Sequence, residues 1–458
     1  MLKDLKFQIF FLILVALFIL SAISSAVTYE NLSEEYQTEL NRHNERVAGG
    51  EFTRMINMLD AYPLNVVSRP SPAILFSSYQ SYPDRINARI TFYTPNFHNF
   101  GTSTREVFRL NWYFILGILS GFIMLIMSFE AISHEKRAGT LRLMSIYGFK
   151  RQMILWHKYI SYLLLYLIII IPPALVSIIL FFALTGTWSV AFMLKFLLIL
   201  LISVPFASFF IWLGIFISMA KNYRNGIVMV VFIWLFFVVI VPQSANIIAK
   251  QLSPIKTKIE YREMQNQAYM DEYQIWGDEY GTLVHGNGSL HDGIRARAFH
   301  ACQEKSSLSY QIEIDDSARQ IKTTQNISII SPFVQFENIS EILFDKGFYL
   351  FNFMQETTKR SINQISNLMK EQDSRDETSL NLFYSNAGSD RYAIASLGQI
   401  TFSEQLFDYP DLLFVSDIET DDSLAKTVKI LLRLLPILLL NLILIVLSVL
   451  KFERLDIR

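Results

Sequence analysis

From Tyr159 to Leu194 the chain carries no charged side chain; four further apolar runs share that character, and a fifth carries only Arg433. A bilayer core takes roughly 20 apolar residues to cross as a helix, and a backbone inside it must satisfy its own hydrogen bonds. Each run therefore reads as a membrane-spanning helix. Phe7–Val27 is the first and Leu110–Phe129 the second. The charge-free stretch is too long for a single span. Thr185-Gly186-Thr187 supplies a turn and Trp188 an interface anchor, so the third span is set at Tyr159–Leu184. Phe196–Ala220, Gly226–Ile248 and Ile430–Leu450 complete six. The expected fold class is an all-α polytopic membrane protein, its six transmembrane helices carrying a mainly helical polar part with short strands.

Composition agrees. Only 18% of the 458 residues are charged and 52% are hydrophobic. Soluble domains run near about 25% charged, so a water-facing enzyme of this size is not expected. Lys plus Arg number 40 against 41 Asp plus Glu, which leaves no basic excess for nucleic acid. Cys302 is the one cysteine, so no intramolecular disulfide and no cysteine-rich metal site can form.

Orientation follows from the basic residues of the short loops. Lys3, Lys6, Lys136, Arg137, Arg142, Lys150, Arg151, Lys158, Lys221, Arg224, Lys451, Arg454 and Arg458 fall on one side. The opposite turn offers only Lys195. Both termini are therefore expected in the cytoplasm, in a multi-pass protein. This divides the chain into a first span (1–27), an extracytoplasmic segment (28–109), spans two to five (110–248), a large extracytoplasmic domain (249–425), and the sixth span with its tail (426–458). Lys3, Lys6 and Ser24-Ser25-Ala26 also resemble a cleavable signal peptide. The apolar run is long enough to span, so an uncleaved anchor is expected.

The polar parts read as helices with irregular connections. Residues 28–62 suit a helix that breaks at Gly49-Gly50, and Ile86–Thr94 suits a short strand. Helices are expected over Pro254–Trp276, Gly293–Thr324 and Tyr349–Lys370, with a turn at Ser331-Pro332 and short strands within 375–420.

Several chemistries find no support. A P-loop needs Gly-x-x-x-x-Gly-Lys followed by Ser or Thr, and none is present. Any ATP and Mg must then be bound by another chain, and no cofactor is expected in this one. His285, His291, His300, Cys302 and Asp292 share one polar stretch, but at no metal-site spacing, and they read as scattered surface residues. Ser289, His291 and Asp292 lack the strained turn of a nucleophile. No catalytic residue is assigned. The centres of the spans hold no ionisable residue. Glu130 and Arg433 lie at span ends, Arg433 within snorkelling reach of the surface. That pattern argues against a pump with buried carboxylates. Pro172-Pro173 and Pro205 are expected to distort the third and fourth spans.

The segment between spans two and three is the most informative. It runs Ser133-His134-Glu135-Lys136-Arg137-Ala138-Gly139-Thr140-Leu141-Arg142-Leu143-Met144-Ser145-Ile146-Tyr147-Gly148-Phe149-Lys150-Arg151. Thr140 suits an N-cap and Gly148 a C-terminal stop. Leu141, Met144 and Ile146 are expected on an apolar face and Arg142 and Lys150 in water, making a short interfacial element.

That string resembles the signature of type-2 ABC exporter permeases, in which an acid stands four residues before Gly-Thr-Leu. The matching positions are Glu135, Gly139, Thr140, Leu141, Leu143, Gly148, Arg151 and Lys158; Arg137 departs, since many members carry a second acid there. Ser68-Arg69-Pro70-Ser71-Pro72, Ile233-Trp234-Leu235 with Val241-Pro242, and Ser331-Pro332 through Asn338-Ile339-Ser340 resemble a subgroup with large extracytoplasmic insertions after the first and fifth spans. The resemblance implies a bacterial inner-membrane permease that contacts nucleotide-binding ATPase subunits through 133–151. It also implies a second permease, identical or homologous, and leaves room for a periplasmic partner. The apolar spans suit a hydrophobic, lipid-like or peptide substrate. A membrane-anchored receptor or assembly scaffold, binding a partner through its extracytoplasmic mass, is the alternative.

Overall fold

The structure is a computed structural model. It describes residues 5–49, 64–67, 70–76, 87–90, 95–98, 110–220, 223–281, 289–350, a few positions between 352 and 367, and 423–454. The helix expected at Tyr349–Lys370 lies largely outside these residues, and the strands expected within 375–420 lie wholly outside them.

Among the described residues, six helices are long and apolar enough to cross a membrane. Helix α1 covers Leu5–Gly49, so the first span and the polar stretch behind it form one rod. At 45 residues and about 1.5 Å per residue it is roughly twice the thickness of a hydrocarbon core. Span two begins as a π-helical stretch, Phe114–Leu119, and continues as α2 (Ser120–Ser128). Two short helices follow, α3 (Ser133–Arg137) and α4 (Thr140–Ile146). Helices α5 (Arg151–Thr185) and α6 (Val190–Ser218) are spans three and four. Helix α5 ends at Gly186, whose φ of 67° is the left-handed stop that Thr185-Gly186-Thr187 promised. Span five is α7 (Tyr223–Leu235), a π-helical stretch Phe236–Ile240, and α8 (Val241–Leu252). Span six is α12 (Ser423–Glu453).

The insertion side holds α9 (Lys258–Tyr280) and α10 (Ser289–Ile327), which pack as an antiparallel hairpin, then α11 (Pro332–Phe344). Thr257 and Glu260 form a reciprocal capping box at the start of α9, with Thr257 N donating to Glu260 Oε2 at 2.5 Å. Inside the hairpin Tyr261 Oη donates to Asp316 at 2.9 Å. A three-stranded antiparallel sheet joins β1 (Leu64–Val67), β2 (Asn87–Ile90) and β3 (Pro95–His98) in the order β1-β2-β3. Of the strand expected over Ile86–Thr94, the described residues Asn87–Ile90 form β2.

Polar side chains join the spans, as they do where lipid offers no hydrophobic drive between helices. Trp112 Nε1 donates to Ser177 Oγ at 3.0 Å, and Tyr166 Oη to Ser203 Oγ at 2.8 Å. Asn441 Nδ2 in α12 donates to Pro205 O at 2.9 Å. Helices α5 and α6 run on through Pro172, Pro173 and Pro205 without a break. Arg433 reaches Gln325 Oε1 of α10 at 3.4 Å, so it is held by protein where snorkelling was expected. Close helix approach depends on Gly214, where a Cβ would overlap Ser128 Oγ.

One expectation is corrected. Helix α11 is too short to span, yet it sits among spans two, four, five and six, and brings Glu337 and Glu341 into the bundle at 4% and 6% exposure. Buried carboxylates are therefore present. They were missed because α11 lies in an insertion, where charge carries no membrane penalty.

Candidate functional site

Glycines shape the 133–151 element. Gly139 (φ 73°) separates α3 from α4, and Gly148 (φ 81°) ends α4. Both conformations are left-handed, which glycine adopts without the Cβ clash of other residues. Thr140 is the first residue of α4 and not its N-cap. Its hydroxyl donates back to Glu135 O at 3.2 Å, because Gly139 has already turned the chain. Glu135 and Thr140, two of the predicted positions, are thereby joined.

Two side chains fix this element to the bundle. The Glu135 carboxylate forms an ion pair with Lys158, two turns into α5. Arg151 Nη1 donates to the carbonyls of Phe452 at 3.3 Å and Glu453 at 2.6 Å, the last turn of α12. Those carbonyls have no partner within their own helix, so a guanidinium there satisfies them and meets the negative end of the helix dipole. Gln152 Nε2 adds a bond to Glu453 Oε1 at 2.8 Å. The element thus grips span three by its acid and span six by its arginine. Sequence reasoning marked Arg151 but did not foresee α12 as its partner.

Burial divides the apolar residues differently from the expected amphipathic face. Leu141 is buried in the core, and Met144 is partly buried against it. Leu143, Ile146, Tyr147 and Phe149 are exposed, Ile146 at 70% and Tyr147 at 79%. Ile146 therefore does not share the buried side of Leu141, because only the first turn of α4 faces the spans. The result is an apolar, aromatic patch beside Arg142 and Lys150, clear of the bundle. Such patches on a folded protein mark contact surfaces.

The opposite end of the bundle is organised by the two segments that resemble subgroup motifs. Phe76, from the 3₁₀ turn Pro72–Phe76, stacks on Phe344 at 5.0 Å and meets Phe336 edge-on at 6.2 Å. Ser331 Oγ donates to Phe237 O at 2.6 Å and accepts from Val334 N at 3.4 Å. Phe237 lies in the π-helical stretch of span five, where the widened turn leaves a carbonyl to be satisfied from outside. Asp345 takes a left-handed conformation (φ 54°) and pairs with Lys195 of α6 at 3.1 Å and Lys426 of α12 at 2.6 Å.

His285 lies outside the described residues, and His291, Asp292 and His300 fall along α10. Cys302 is buried against α9, and burial with Glu272 nearby pushes its thiol up to about 11. No group of three or more metal-ligating side chains occurs among the described residues. Asn338, in one of the four Asn-x-Ser sequons, is buried in α11 and closed to modification.

Comparison with known proteins is decisive for the family. No curated protein and no solved structure matches the chain. The model of the family described as ABC-2 family transporter protein matches residues 1–457, essentially all of it. That match, together with six membrane helices and a glycine-bounded loop element gripping spans three and six, has one meaning: the chain belongs to the ABC-2 transporter family, as a membrane permease subunit that associates with an ABC ATPase.

Proposed function

We propose that this permease couples ATP hydrolysis by a separate nucleotide-binding subunit to export of a hydrophobic, lipid-like or peptide substrate. The observation that carries the reading is the double grip of 133–151: Glu135 on Lys158 in α5 and Arg151 on the end of α12. A partner that pushes on the exposed Leu143, Ile146, Tyr147 and Phe149 therefore moves two spanning helices together. ATP and Mg belong to that partner, since this chain has no P-loop, and the chain itself performs no catalysis.

Loop charge supports a bacterial inner-membrane orientation with both termini cytoplasmic, the insertions facing outward, and α1 retained as an anchor. Buried Leu14, Phe18 and Ala22 argue for retention, because α1 packs on α5 along that face. The lipid-exposed faces of α7 and α12 leave surface for a second permease, identical or homologous. The α9–α10 hairpin extends far enough from the bundle to meet a periplasmic partner.

The test is affinity purification from mild detergent of the chain expressed with its genomic neighbours, followed by ATP-hydrolysis and substrate-movement assays. Co-purification of a P-loop ATPase, with turnover lowered by Glu135→Ala and by Gly139→Pro, is the expected result. Purification without any ATPase would transfer the assignment to a receptor or assembly scaffold. Movement of cargo inward would reverse the proposed direction.

A further inference from the structure

Helix α11 places two carboxylates, one turn apart on the same face, inside the bundle. Their settings differ. Glu341 closes the turn behind α11: its carboxylate accepts from Phe348 N at 3.3 Å and lies so tightly on Gly347 that a Cβ there would overlap it. Glu337 has no such anchor. Its Oε1 has no hydrogen-bond partner among the described residues, and neither has Tyr113 Oη beside it, although both side chains are more than nine-tenths buried. The surroundings are aromatic: Phe336 stacks on Phe206 at 4.8 Å, and Phe333 lies against Tyr113 at 5.5 Å.

Among the described residues no cation faces Glu337. Lys195 from α6 and Lys426 from α12 are both engaged by Asp345. Lys429 of α12 lies over the Tyr349 ring at 5.5 Å, and Arg433 is on Gln325. Lys346 follows the far end of α11, its backbone N on Glu341 O at 2.9 Å. The turn Pro72–Phe76 and the π-helical stretch Phe236–Ile240 contribute no titratable side chain. The charged and titratable groups that face Glu337 are thus Glu341 and Tyr113. An isolated carboxylate in such a place costs far more than one neutral hydrogen bond returns.

We infer that Glu337 is a proton-binding residue of the bundle, held as a neutral carboxylic acid beside Tyr113 while α11 is packed among the spans. The only ligand is H⁺: the carboxylate accepts it on binding, and solvent receives it when the bundle unfolds and Glu337 meets water. Burial, reinforced by Glu341, raises Glu337 well above the usual carboxylate range, with Tyr113 opposing. A group whose folded-state pKa is raised binds more protons folded than unfolded, so its stability contribution is full below about pH 4.3 and is lost as pH rises towards the folded value. Stability of the bundle is thereby linked to pH. The inference stands on this helix alone and does not depend on the export reading.

The experiment uses the full-length chain in lipid nanodiscs, titrated from the acid to the alkaline side of neutrality, because burial raises the carboxyl above its usual range. The expected infrared spectrum at neutral pH contains a protonated-carboxyl C=O band that Glu337→Gln removes. The melting temperature of wild type falls as pH rises, and Glu337→Gln flattens that fall. Tyr113→Phe, which keeps the acid, retains the band at a shifted frequency and covers the case in which the Gln variant fails to fold. A neutral-pH spectrum without that band in wild type overturns the inference. So does stability that follows sodium concentration at fixed pH, which would make the ligand a metal cation.

Discussion

Arg151 Nη1 donates to the carbonyl oxygen of Glu453 at 2.6 Å across 302 residues of sequence, tying the start of span three to the end of span six. Removing the guanidinium leaves the last carbonyls of α12 to water alone. Arg151→Ala is expected to cost about 1 kcal/mol and to loosen the last turn of α12, with Arg151→Lys intermediate. Limited proteolysis near Lys451–Arg454 would report it as faster cleavage. Unchanged cleavage in the Ala variant would show that the contact does not hold the helix end.

The Glu135–Lys158 pair is partly exposed, so its stability value is small, on the order of 0–1 kcal/mol. Its expected role is mechanical. Glu135→Gln should lower ATP turnover of the assembled transporter severalfold while leaving the melting temperature within about 1–2 °C. The reversed pair Glu135→Lys with Lys158→Glu should recover part of that turnover. Equal losses in the single and the reversed variants would mean that Glu135 acts through some other contact.

Gly148 has a φ of 81°, and a methyl group added at its Cα would meet nothing within 4 Å. Conformation alone thus decides Gly148→Ala, at a cost of about 1 kcal/mol. The expected consequence is a displaced Tyr147–Phe149 patch and weaker binding to the ATPase subunit, read by titrating purified subunit onto the permease. Gly277→Ala, at an open helical position on α9, serves as the control and should leave that affinity unchanged.

Ser331 satisfies a π-helix carbonyl and caps α11 with one hydroxyl. Ser331→Ala removes both bonds at a fully buried position, so a loss of about 1–3 kcal/mol is expected. The measurement is thermal unfolding in detergent. A melting temperature equal to wild type would mean that Phe237 O finds another donor.

Cys302 is buried in the hairpin, and its thiol lies up at about 11. Thiolate, the reactive form, is therefore scarce near neutral pH, and reagents cannot reach it. Native protein should resist maleimide labelling at neutral pH and label promptly once denatured. Labelling should rise with pH as the thiol approaches its raised value. Rapid labelling of the native form would show that α9 and α10 separate readily.

The spans and the glycine-bounded element were legible because their causes are local. Apolar length sets a membrane helix, and left-handed turns at Gly139 and Gly148 set the limits of α4. The Ser331-Pro332 stop was legible for the same reason. Thr140 shows where local reading ends: its hydroxyl suits a cap, but the turn at Gly139 redirected it to Glu135 O.

What the amino-acid sequence determined by itself is the solvent each segment must face, since hydropathy is a sum over neighbours in the chain. It also determined the family, whose signature lies in contiguous residues. The tertiary structure alone decided which distant groups meet. Arg151 found the end of α12, Asp345 found two lysines, and Phe76 found α11. It alone also placed Glu337 among aromatic rings, because a 13-residue helix inside an insertion looks solvated in sequence until the spans close around it. Burial is a property of packing, and packing has no period that a single chain segment displays.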